Sequence, residues 1–312
     1  MPNNSLSGRP EVPGFPVIFT SRLTRRELVC ILLWIPMHLY VLPRIAGGLM
    51  EAGKLTEAQA NMLIYCTGSL YMLLMAFSFL RREFDPLCDR PFYCVLQIIS
   101  CYLTMLALNM CASGLVSLFD GVIGSGSDTL NNLNNGAIVE LASEDYSVIS
   151  AMSIFLAPIV EELIFRAGIF NGIRNGSVPV AADGAVDSGS TMDDTNNDDG
   201  GGALGNTYSK VSGNECDSSG SSEEANTLAV KPVDRRRLLA YAVSILVFAL
   251  YHVWSYALYD PTYWLYLLQY IPAGFVLCRC YERTNSVWCC IFLHMLTNGI
   301  ALEALSALEG ML

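Results

Sequence analysis

Long apolar stretches dominate the sequence and indicate its architecture. Seven of them approach or exceed the roughly 18 residues that indicate a membrane-crossing helix. Polar or charged connections separate them. The pattern therefore predicts an all-α fold, a polytopic transmembrane helical bundle with about seven spans. The predicted spans are residues 28–45, 62–80, 92–118, 148–170, 238–258, 263–280 and 287–308.

The composition is typical of a membrane protein, and much of the net negative charge lies in one segment. Hydrophobic residues make up 53% of the chain and charged residues 15%, which is far from the balance of a soluble domain. Much of the net charge of −11 comes from residues 175–233, where ten acidic residues stand against two lysines. That segment is rich in Gly, Ser, Asp and Asn, so it is predicted to be disordered. The net charge therefore indicates no charged partner for the membrane core, and we expect no nucleic acid partner.

Basic residues cluster in alternate connections between the predicted spans. Residues 120–146 and 260–262, on the other side, contain neither Lys nor Arg, and only the connection between spans one and two, with Lys54, departs mildly from this pattern. Because Lys and Arg concentrate in cytoplasmic loops, a seven-span chain has its amino terminus in the cytoplasm and its carboxyl terminus outside. A cleaved signal peptide is the alternative for the first run, but its length and its proline and histidine residues favour a retained span. The clusters are Arg22, Arg25 and Arg26; Arg81, Arg82 and Arg90; Arg235, Arg236 and Arg237; and Arg279 and Arg283.

These features divide the chain into four parts. Residues 1–27 are predicted to form a flexible amino-terminal segment, followed by spans one to four in residues 28–174. Residues 175–233 form the disordered acidic loop on the cytoplasmic side, and residues 234–312 hold spans five to seven. We expect a multi-pass protein of the cell membrane, with the lipid bilayer as its first partner.

The fourth span carries charges at membrane depth. Its sequence FLAPIVEELIFRAGIF contains Glu161, Glu162 and Arg166, and ionisable residues inside a membrane are expensive and usually functional. Glu162 and Arg166 are four residues apart, so they share a helix face and can neutralise each other. Glu161 points away from both and is the better candidate for chemistry. Pro158 cannot donate a backbone hydrogen bond, which predicts a kink that frees the carbonyl of Ile154.

Two later spans carry polar pairs at helical spacing. Phe248 and His252 share one helix face, and so do His294 and Asn298. Each pair alone is a weak signal, because polar residues also bond between membrane helices. We interpret His38, the remaining histidine, in that way. The series Glu-Glu-x-x-x-Arg, Phe-x-x-x-His and His-x-x-x-Asn, in this order on three spans, is a much stronger signal.

This series resembles the motifs of the CAAX prenyl protease and bacteriocin-processing family (CPBP, or Abi) of intramembrane endopeptidases. The resemblance covers residues 148–308, with residues 175–233 as an insertion. It implies an α-helical membrane fold with a conical cavity open to the cytoplasm and the bilayer. It also implies peptide-bond hydrolysis by a glutamate-activated water, without an acyl-enzyme.

The resemblance also implies roles for the motif residues. Glu161 and His252 would activate the water, and His294 and Asn298 would stabilise the oxyanion. A carboxyl group shielded from water can take a proton from a water molecule and return it to the leaving amine. The supporting residues would be Glu162, Arg166 and Phe248.

The same residue types leave a metal mechanism open. Glu161, His252 and His294 could ligate zinc as three protein ligands with one open position. No HExxH motif occurs in the sequence. We therefore favour hydrolysis without a cofactor and keep zinc as the alternative.

Three functions compete on the sequence alone. The first is an endopeptidase that cleaves membrane-associated peptides or lipidated proteins, either CAAX-type tails or bacteriocin and signalling precursors. The second is a non-catalytic immunity or scaffold protein that binds a peptide or toxin. The third is a proton-linked transporter, which would normally show internal repeats that this sequence lacks. The intact motifs favour the endopeptidase.

Overall fold

Nine helices follow one another in the part of the chain that the structure describes. The computed structural model describes residues 22–123, 133–176, 234–258 and 260–309, and these belong to one compact unit. A short 3₁₀ turn, Pro261–Tyr266, precedes the eighth helix. The helices are α1 (Arg25–Glu51), α2 (Glu57–Met75), α3 (Phe77–Asp89), α4 (Pro91–Ile123), α5 (Leu133–Glu144), α6 (Tyr146–Asn175), α7 (Arg235–Ala257), α8 (Leu267–Thr284) and α9 (Val287–Glu309).

Capping residues fix where several helices begin. The Thr24 hydroxyl accepts a hydrogen bond from the backbone N–H of Glu27, and the Glu27 carboxylate accepts one from the backbone N–H of Thr24, the reciprocal pattern of a capping box. Asp145 and Asp234 accept backbone hydrogen bonds at the starts of α6 and α7. The first helix therefore begins at Arg25, slightly ahead of the predicted apolar run.

The number of spans is close to the predicted seven, but the correspondence is approximate. Among the described helices, α1, α4, α6, α7 and α9 are long and apolar enough to cross a membrane, and the bent pair α2–α3 brings the total to six. The bend of 82° follows Met75, so residues 62–80 do not form the single straight span predicted. Helix α8 has 18 residues and carries Arg279, Glu282 and Arg283, which lower its hydropathy. The predicted all-α membrane bundle is confirmed.

The two ends of the bundle differ in charge. Helix α7 begins and helix α8 ends at the same end, where Arg237 donates to Glu282 at 2.6 and 2.8 Å. The other arginine clusters lie at this end too, because Arg82 donates to the backbone carbonyl of Arg22, and Tyr93, close to Arg90, donates to that of Arg283. We call it the arginine end. At the opposite end, α6 begins beside the last turns of α9, and Tyr146 donates to Glu303 at 3.0 Å. We call this the far end.

Helix α3 lies across the arginine end. The Glu83 carboxylate accepts the backbone N–H of Val287 at 2.8 Å, and the indole of Trp288 donates to the backbone carbonyl of Leu80 at 2.9 Å. These contacts hold the start of α9 against the buried face of α3. Arg82 is on the exposed face of α3, with 44% of its side chain accessible. Helix α3 is therefore amphipathic and covers the base of α9 at the arginine end.

Most of two predicted segments lies outside the described residues. The flexible amino-terminal segment, residues 1–27, is described only from residue 22 onward, and the acidic loop, residues 175–233, is described only at residues 175 and 176. The described residues on either side of the acidic loop meet, because Arg174 and Asp234 form an ion pair of 3.4 Å. The disorder of both segments stays a prediction.

Candidate active site

The three sequence motifs meet in a cavity of about 680 Å³ inside the bundle. Glu161 from α6, His252 from α7, and both His294 and Asn298 from α9 line this cavity, together with Phe248. Helices that are distant in sequence thus bring all the predicted catalytic side chains to one place.

A π-helical turn explains how α6 is shaped beside the cavity. This turn, Met152–Leu156, places Pro158 where its N–H would bond to the carbonyl of Ser153. Proline has no N–H, and Nδ2 of Asn298 donates to that carbonyl instead, at 2.9 Å. We predicted that Ile154 would have the freed carbonyl, which was wrong because the wide π turn shifts the hydrogen-bond register by one residue. The result is a direct bond between α6 and α9.

Glu162 holds the centre of a buried hydrogen-bonded cluster. Its Oε1 accepts a bond of 3.0 Å from Arg166 and lies 2.8 Å from Nδ1 of His294. The side chains of Glu162 and Arg166 have no exposed area. Arg166 lies in a second π-helical stretch, Leu163–Asn171, and also donates to the backbone carbonyl of Gly274 at 3.4 Å. The predicted Glu162–Arg166 pair is present, whereas sequence spacing gave no signal for the bond to His294.

Glu161 is the carboxylate that lacks a partner. It is 5% exposed, and its Oε2 has no hydrogen-bond partner among the described residues. Nε2 of His252 lies 3.6 Å from this oxygen, and Nε2 of His294 lies 3.9 Å from it. These separations are longer than a direct hydrogen bond. They are typical of polar groups that a water molecule bridges.

The second nitrogen of each imidazole ring is already bonded. Nδ1 of His252 lies 2.8 Å from the backbone carbonyl oxygen of Phe248. A carbonyl oxygen only accepts, so this Nδ1 is the donor. Nδ1 of His294 lies 2.8 Å from Oε1 of Glu162, the oxygen that also accepts from Arg166, so this Nδ1 is a donor as well. Both rings are thus oriented with Nε2 toward Glu161, where each can carry a lone pair or a second proton.

The fixed charges of the site are balanced except at Glu161. Glu162 and Arg166 neutralise each other, so Glu161 is the carboxylate without a fixed counterion. An unbalanced buried charge is costly, and Glu161 and the two imidazoles are the groups beside it that can hold a proton. Groups of this kind can take a proton from a substrate and return it. The arrangement therefore suits general acid–base catalysis.

Aromatic rings hold the charged side chains in place. The Phe248 ring centroid lies 4.4 Å from the guanidinium carbon of Arg166 and 4.6 Å from the centre of the His252 ring. Tyr270 of α8 stacks on His252 with ring centres 4.5 Å apart and planes at 20°. The sequence motifs pointed to Phe248, but Tyr270 has no spacing relationship to any motif residue and was missed.

A second polar group lines the same cavity from α1. Nε2 of His38 lies 2.6 Å from the hydroxyl of Tyr251, which lies 3.3 Å from the hydroxyl of Tyr65. All three line the cavity. The bond from α1 to α7 agrees with the interpretation of His38 as a residue that connects helices. The two tyrosines were not singled out, because nothing in their spacing distinguishes them from other tyrosines of the chain.

The cavity opens toward the far end of the bundle. Glu57 at the start of α2 and Ser255 near the end of α7 line it and are exposed. The resemblance implied an opening to the cytoplasm, while the arginine clusters predicted that the arginine end is cytoplasmic. Since the cavity opens away from that end, these two expectations are incompatible.

The candidate zinc ligands do not form a metal site as placed. Zinc bonds of about 2.0–2.2 Å in a tetrahedral site put neighbouring ligand atoms about 3.3–3.5 Å apart. Glu161 Oε2 lies 3.6 and 3.9 Å from the two imidazole nitrogens. Within the described ranges, no group of three His, Cys, Asp or Glu side chains could hold a metal ion. We therefore assign no step to zinc.

Comparison with known proteins supports the resemblance seen in the motifs. Residues 200–300 match the family model described as "Rce1-like: Type II CAAX prenyl endopeptidase Rce1-like". The matched range contains Phe248, His252, His294 and Asn298, and it begins after the motif of Glu161. No curated protein and no solved structure matches the chain. The family match confirms the likeness to the CAAX protease family and supports an intramembrane endopeptidase.

Proposed function

We propose that this chain, which carries an Rce1-like CAAX endopeptidase domain, hydrolyses peptide bonds with a water molecule that Glu161 activates. One observation carries the proposal. The unpartnered Oε2 of Glu161 faces Nε2 of both His252 and His294 within an accessible cavity. A carboxylate and two imidazoles around the place of one water molecule form a proton-transfer set. A scaffold or immunity protein would not need such a set.

In the proposed reaction, Glu161 and His252 act on the same water molecule. A water molecule between Glu161 and His252 donates one hydrogen bond to each of them, so its lone pairs remain free. As the water oxygen bonds to the carbonyl carbon of the substrate, one proton passes to Glu161. The carbon–nitrogen bond then breaks, and Glu161 gives this proton to the nitrogen. The second proton of the water, now on the new carboxyl group, passes through His252 to the amine. The products are a carboxylate and an ammonium group, and no covalent enzyme intermediate forms.

Two groups on α9 would stabilise the oxyanion. Asn298 uses one N–H on the Ser153 carbonyl, and its amide nitrogen has a second N–H to donate. His294 donates from Nε2 when it carries both protons, and its Nδ1 bond to Glu162 orients the ring. Donors aimed at the developing negative charge lower the barrier to the tetrahedral state. The Glu162–Arg166 pair and Phe248 keep these donors oriented.

The substrate in this proposal is a membrane-associated peptide or lipidated protein. Both CAAX-type tails and bacteriocin or signalling precursors fit this description. The apolar helices support a reaction within a membrane, and the proposed location is the cell membrane, with the amino terminus in the cytoplasm.

The test is peptide profiling of membranes that contain the full chain. Wild type and Glu161→Gln are compared at equal expression, with Glu303→Gln as a control because Glu303 is an exposed carboxylate outside the cavity. Cleavage products present with wild type and Glu303→Gln but absent with Glu161→Gln would support the proposal. Identical products from all three proteins would contradict it. Full biological function of Glu161→Gln would indicate a binding protein.

A further inference from the structure

A hydrogen-bonded chain of three side chains lies in the cavity wall, apart from the sequence motifs. Nε2 of His38 in α1 lies 2.6 Å from the hydroxyl of Tyr251 in α7, which lies 3.3 Å from the hydroxyl of Tyr65 in α2. All three residues line the cavity, and the Glu161 carboxylate acts electrostatically on both hydroxyls. The chain therefore joins three helices beside Glu161, although the proposed reaction uses none of its members.

The surroundings of His38 decide the direction of these hydrogen bonds. Its Nδ1 is buried and has no hydrogen-bond partner among the described residues. A buried N–H without an acceptor is rarer than a buried acceptor without a donor, so the proton of the neutral ring belongs on Nε2. Nε2 then donates to the Tyr251 oxygen, and the Tyr251 hydroxyl donates to the Tyr65 oxygen. The O–H group of Tyr65 is left to donate elsewhere.

The catalytic cavity is where the Tyr65 hydroxyl can find an acceptor. On their other side, His38 and Tyr251 border a groove of about 270 Å³ whose walls include Ile35, Ile164 and Val247. None of the other described residues that line this groove has a side-chain acceptor. Tyr65 lines the catalytic cavity instead. Its hydroxyl is therefore a donor that serves the cavity.

A local distortion of α1 accompanies the position of His38. This residue lies in a π-helical turn, Met37–Val41. In the described part of the chain, the other two π-helical stretches, Met152–Leu156 and Leu163–Asn171, are both in α6 next to the motif residues. Such turns are frequent at functional sites. The shape of α1 therefore agrees with a function for His38 in the cavity.

Helices α2 and α9 lie on nearly opposite sides of α6. A Cβ at Gly68 of α2 would lie 3.0 Å from Val160, whereas Glu162 bonds to His294 of α9. Val160 and Glu162 are two residues apart in a regular α-helical turn, so their side chains point about 200° apart at about 100° per residue. Glu161 lies between them. A peptide backbone at Glu161 thus has α9 on one side and α2 on the other.

This placement brings a second carbonyl group of the peptide toward Tyr65. The proposed oxyanion donors, His294 and Asn298, are on α9, so the carbonyl that is attacked points toward α9. In an extended backbone, neighbouring carbonyl groups point in opposite directions, and the next one therefore points toward α2. Tyr65 is three residues before Gly68, so it is on the face of α2 that packs against α6.

We infer that the Tyr65 hydroxyl binds the substrate by donating a hydrogen bond to the backbone carbonyl oxygen next to the scissile peptide bond. Tyr251 and His38 are positioning residues, because they hold this hydroxyl in its donating orientation. The inference rests on the proposed peptidase function for the peptide in the cavity. Since the neighbouring carbonyl is not attacked, its hydrogen bond contributes to the ground state and the transition state alike. It therefore affects binding more than kcat.

Binding and turnover of one peptide test this inference with variants of the full chain. The probe is a prenylated CAAX-type peptide with a fluorescent label, and its Kd is measured in a Glu161→Gln background, where binding does not depend on cleavage. Tyr65→Phe removes only the hydroxyl and should raise Kd about twofold to tenfold, the usual net effect of one hydrogen bond. In the protein that retains Glu161, the same change should raise KM far more than it changes kcat.

Tyr71→Phe is the matched control for the loss of a hydroxyl. Tyr71 is also on α2, and its hydroxyl donates to the backbone carbonyl of Cys30 at 3.0 Å. It is not one of the described residues that line the cavity, so Kd and KM should stay at their wild-type values. Thermal unfolding of Tyr65→Phe and Tyr71→Phe shows whether either variant has lost its fold.

Two substitutions of His38 test its positioning role. His38→Leu removes the donor to Tyr251 and should raise Kd in the same direction as Tyr65→Phe. His38→Gln keeps an N–H donor on its side-chain amide and should restore most of the binding. A role of His38 in packing alone would not separate these two variants by their hydrogen-bonding capacity.

The outcomes separate this inference from the proposed function. Weaker binding by Tyr65→Phe and His38→Leu, with Tyr71→Phe and His38→Gln close to wild type, supports it. Equal Kd values for Tyr65→Phe and Tyr71→Phe overturn it. A lower kcat at unchanged KM in Tyr65→Phe also overturns it, because the hydroxyl would then act on the carbonyl that is attacked. A peptide that binds but is not cleaved by wild type would contradict the peptidase function, while the Kd values would still decide the role of Tyr65.

Discussion

Glu162 and His294 form a hydrogen bond of 2.8 Å that joins α6 to α9 inside the membrane bundle. The same oxygen of Glu162 accepts from Arg166. Glu162 therefore does more than balance a charge within its own helix, because it also fixes the ring of His294 with Nε2 toward Glu161. Glu162 thus orients His294, whereas in the proposed mechanism the neighbouring Glu161 faces the substrate.

Substitution of Glu162 should destabilise the protein. Glu162→Gln leaves Arg166 buried without a counterion, and breaking a fully buried ion pair in this way costs roughly 3–5 kcal/mol. We expect a lower midpoint of thermal unfolding in detergent and lower expression. Glu162→Gln combined with Arg166→Met should recover part of the loss, because no uncompensated charge remains.

The ion pair Arg174–Asp234, which is open to solvent at Asp234, provides the control. Its separation is 3.4 Å, and the Asp234 side chain is 55% exposed. Pairs of this kind contribute about 0–1 kcal/mol, so Asp234→Asn should shift the unfolding midpoint much less than Glu162→Gln. Equal shifts of the unfolding midpoint for the two variants would contradict the larger contribution of the buried Glu162–Arg166 pair to stability.

Gly274 should not tolerate a side chain. A Cβ there would lie 3.2 Å from Cα of Ile245 and 3.4 Å from Phe248, so α7 or the Phe248 ring must move. Overpacking of this kind costs roughly 1–3 kcal/mol, and displacement of Phe248 should also reduce turnover. Gly114→Ala is the control, because nothing lies within 4 Å of its Cβ position. Thermal unfolding of both variants checks this, and equal destabilisation would contradict the close helix contact.

The acidic loop should be dispensable for the chemistry. The ion pair between Arg174 and Asp234 joins the described residues on either side of it, and loop length adds only slowly to the cost of closure. Replacing residues 178–229 with a short Gly/Ser linker should leave thermal unfolding and turnover near their wild-type values. Lost turnover with normal unfolding would give the loop a binding or regulatory role.

Turnover should not depend on zinc. The spacing around Glu161 Oε2 is wider than a zinc site requires. Purified protein should contain no stoichiometric zinc by elemental analysis and should keep its activity after treatment with a strong chelator. Activity that is lost to the chelator and restored by added zinc would make Glu161, His252 and His294 ligands.

Much of the architecture and the cluster could be predicted because helical periodicity is local. Apolar run lengths indicated the membrane bundle, and four-residue spacing predicted the Glu162–Arg166 pair. The separate direction of Glu161 followed from the same geometry. The bend after Met75 was not predictable in this way, since residues 62–80 contain no charged residue and the bend depends on where α3 packs.

Contacts between helices could not be predicted from the spacing of residues within one helix. The stack of Tyr270 on His252 joins residues of α8 and α7 that share no motif. The carbonyl that Asn298 binds depends on a π turn, and proline alone predicted the wrong acceptor. The direction in which the cavity opens also required the positions of whole helices.

Removal of one oxyanion donor should lower kcat strongly without abolishing turnover. Asn298→Ala removes the second N–H toward the substrate, and loss of one such donor lowers kcat by about 10²–10³-fold. It also removes the bond to the Ser153 carbonyl, so thermal unfolding must be measured alongside kcat. A variant that folds normally and keeps its full kcat would exclude Asn298 from the oxyanion site.

The most direct test of Glu161 and His252 as one water-activating unit is a double-mutant cycle on kcat with a purified peptide substrate. Glu161→Gln keeps the size of the side chain but cannot take the proton of the water, so nearly all turnover should be lost. His252→Ala should be about as severe. Because both residues act on the same water, the double variant should lose little more than either single variant. Losses that multiply, or a Glu161→Gln protein that retains its turnover, would contradict the account.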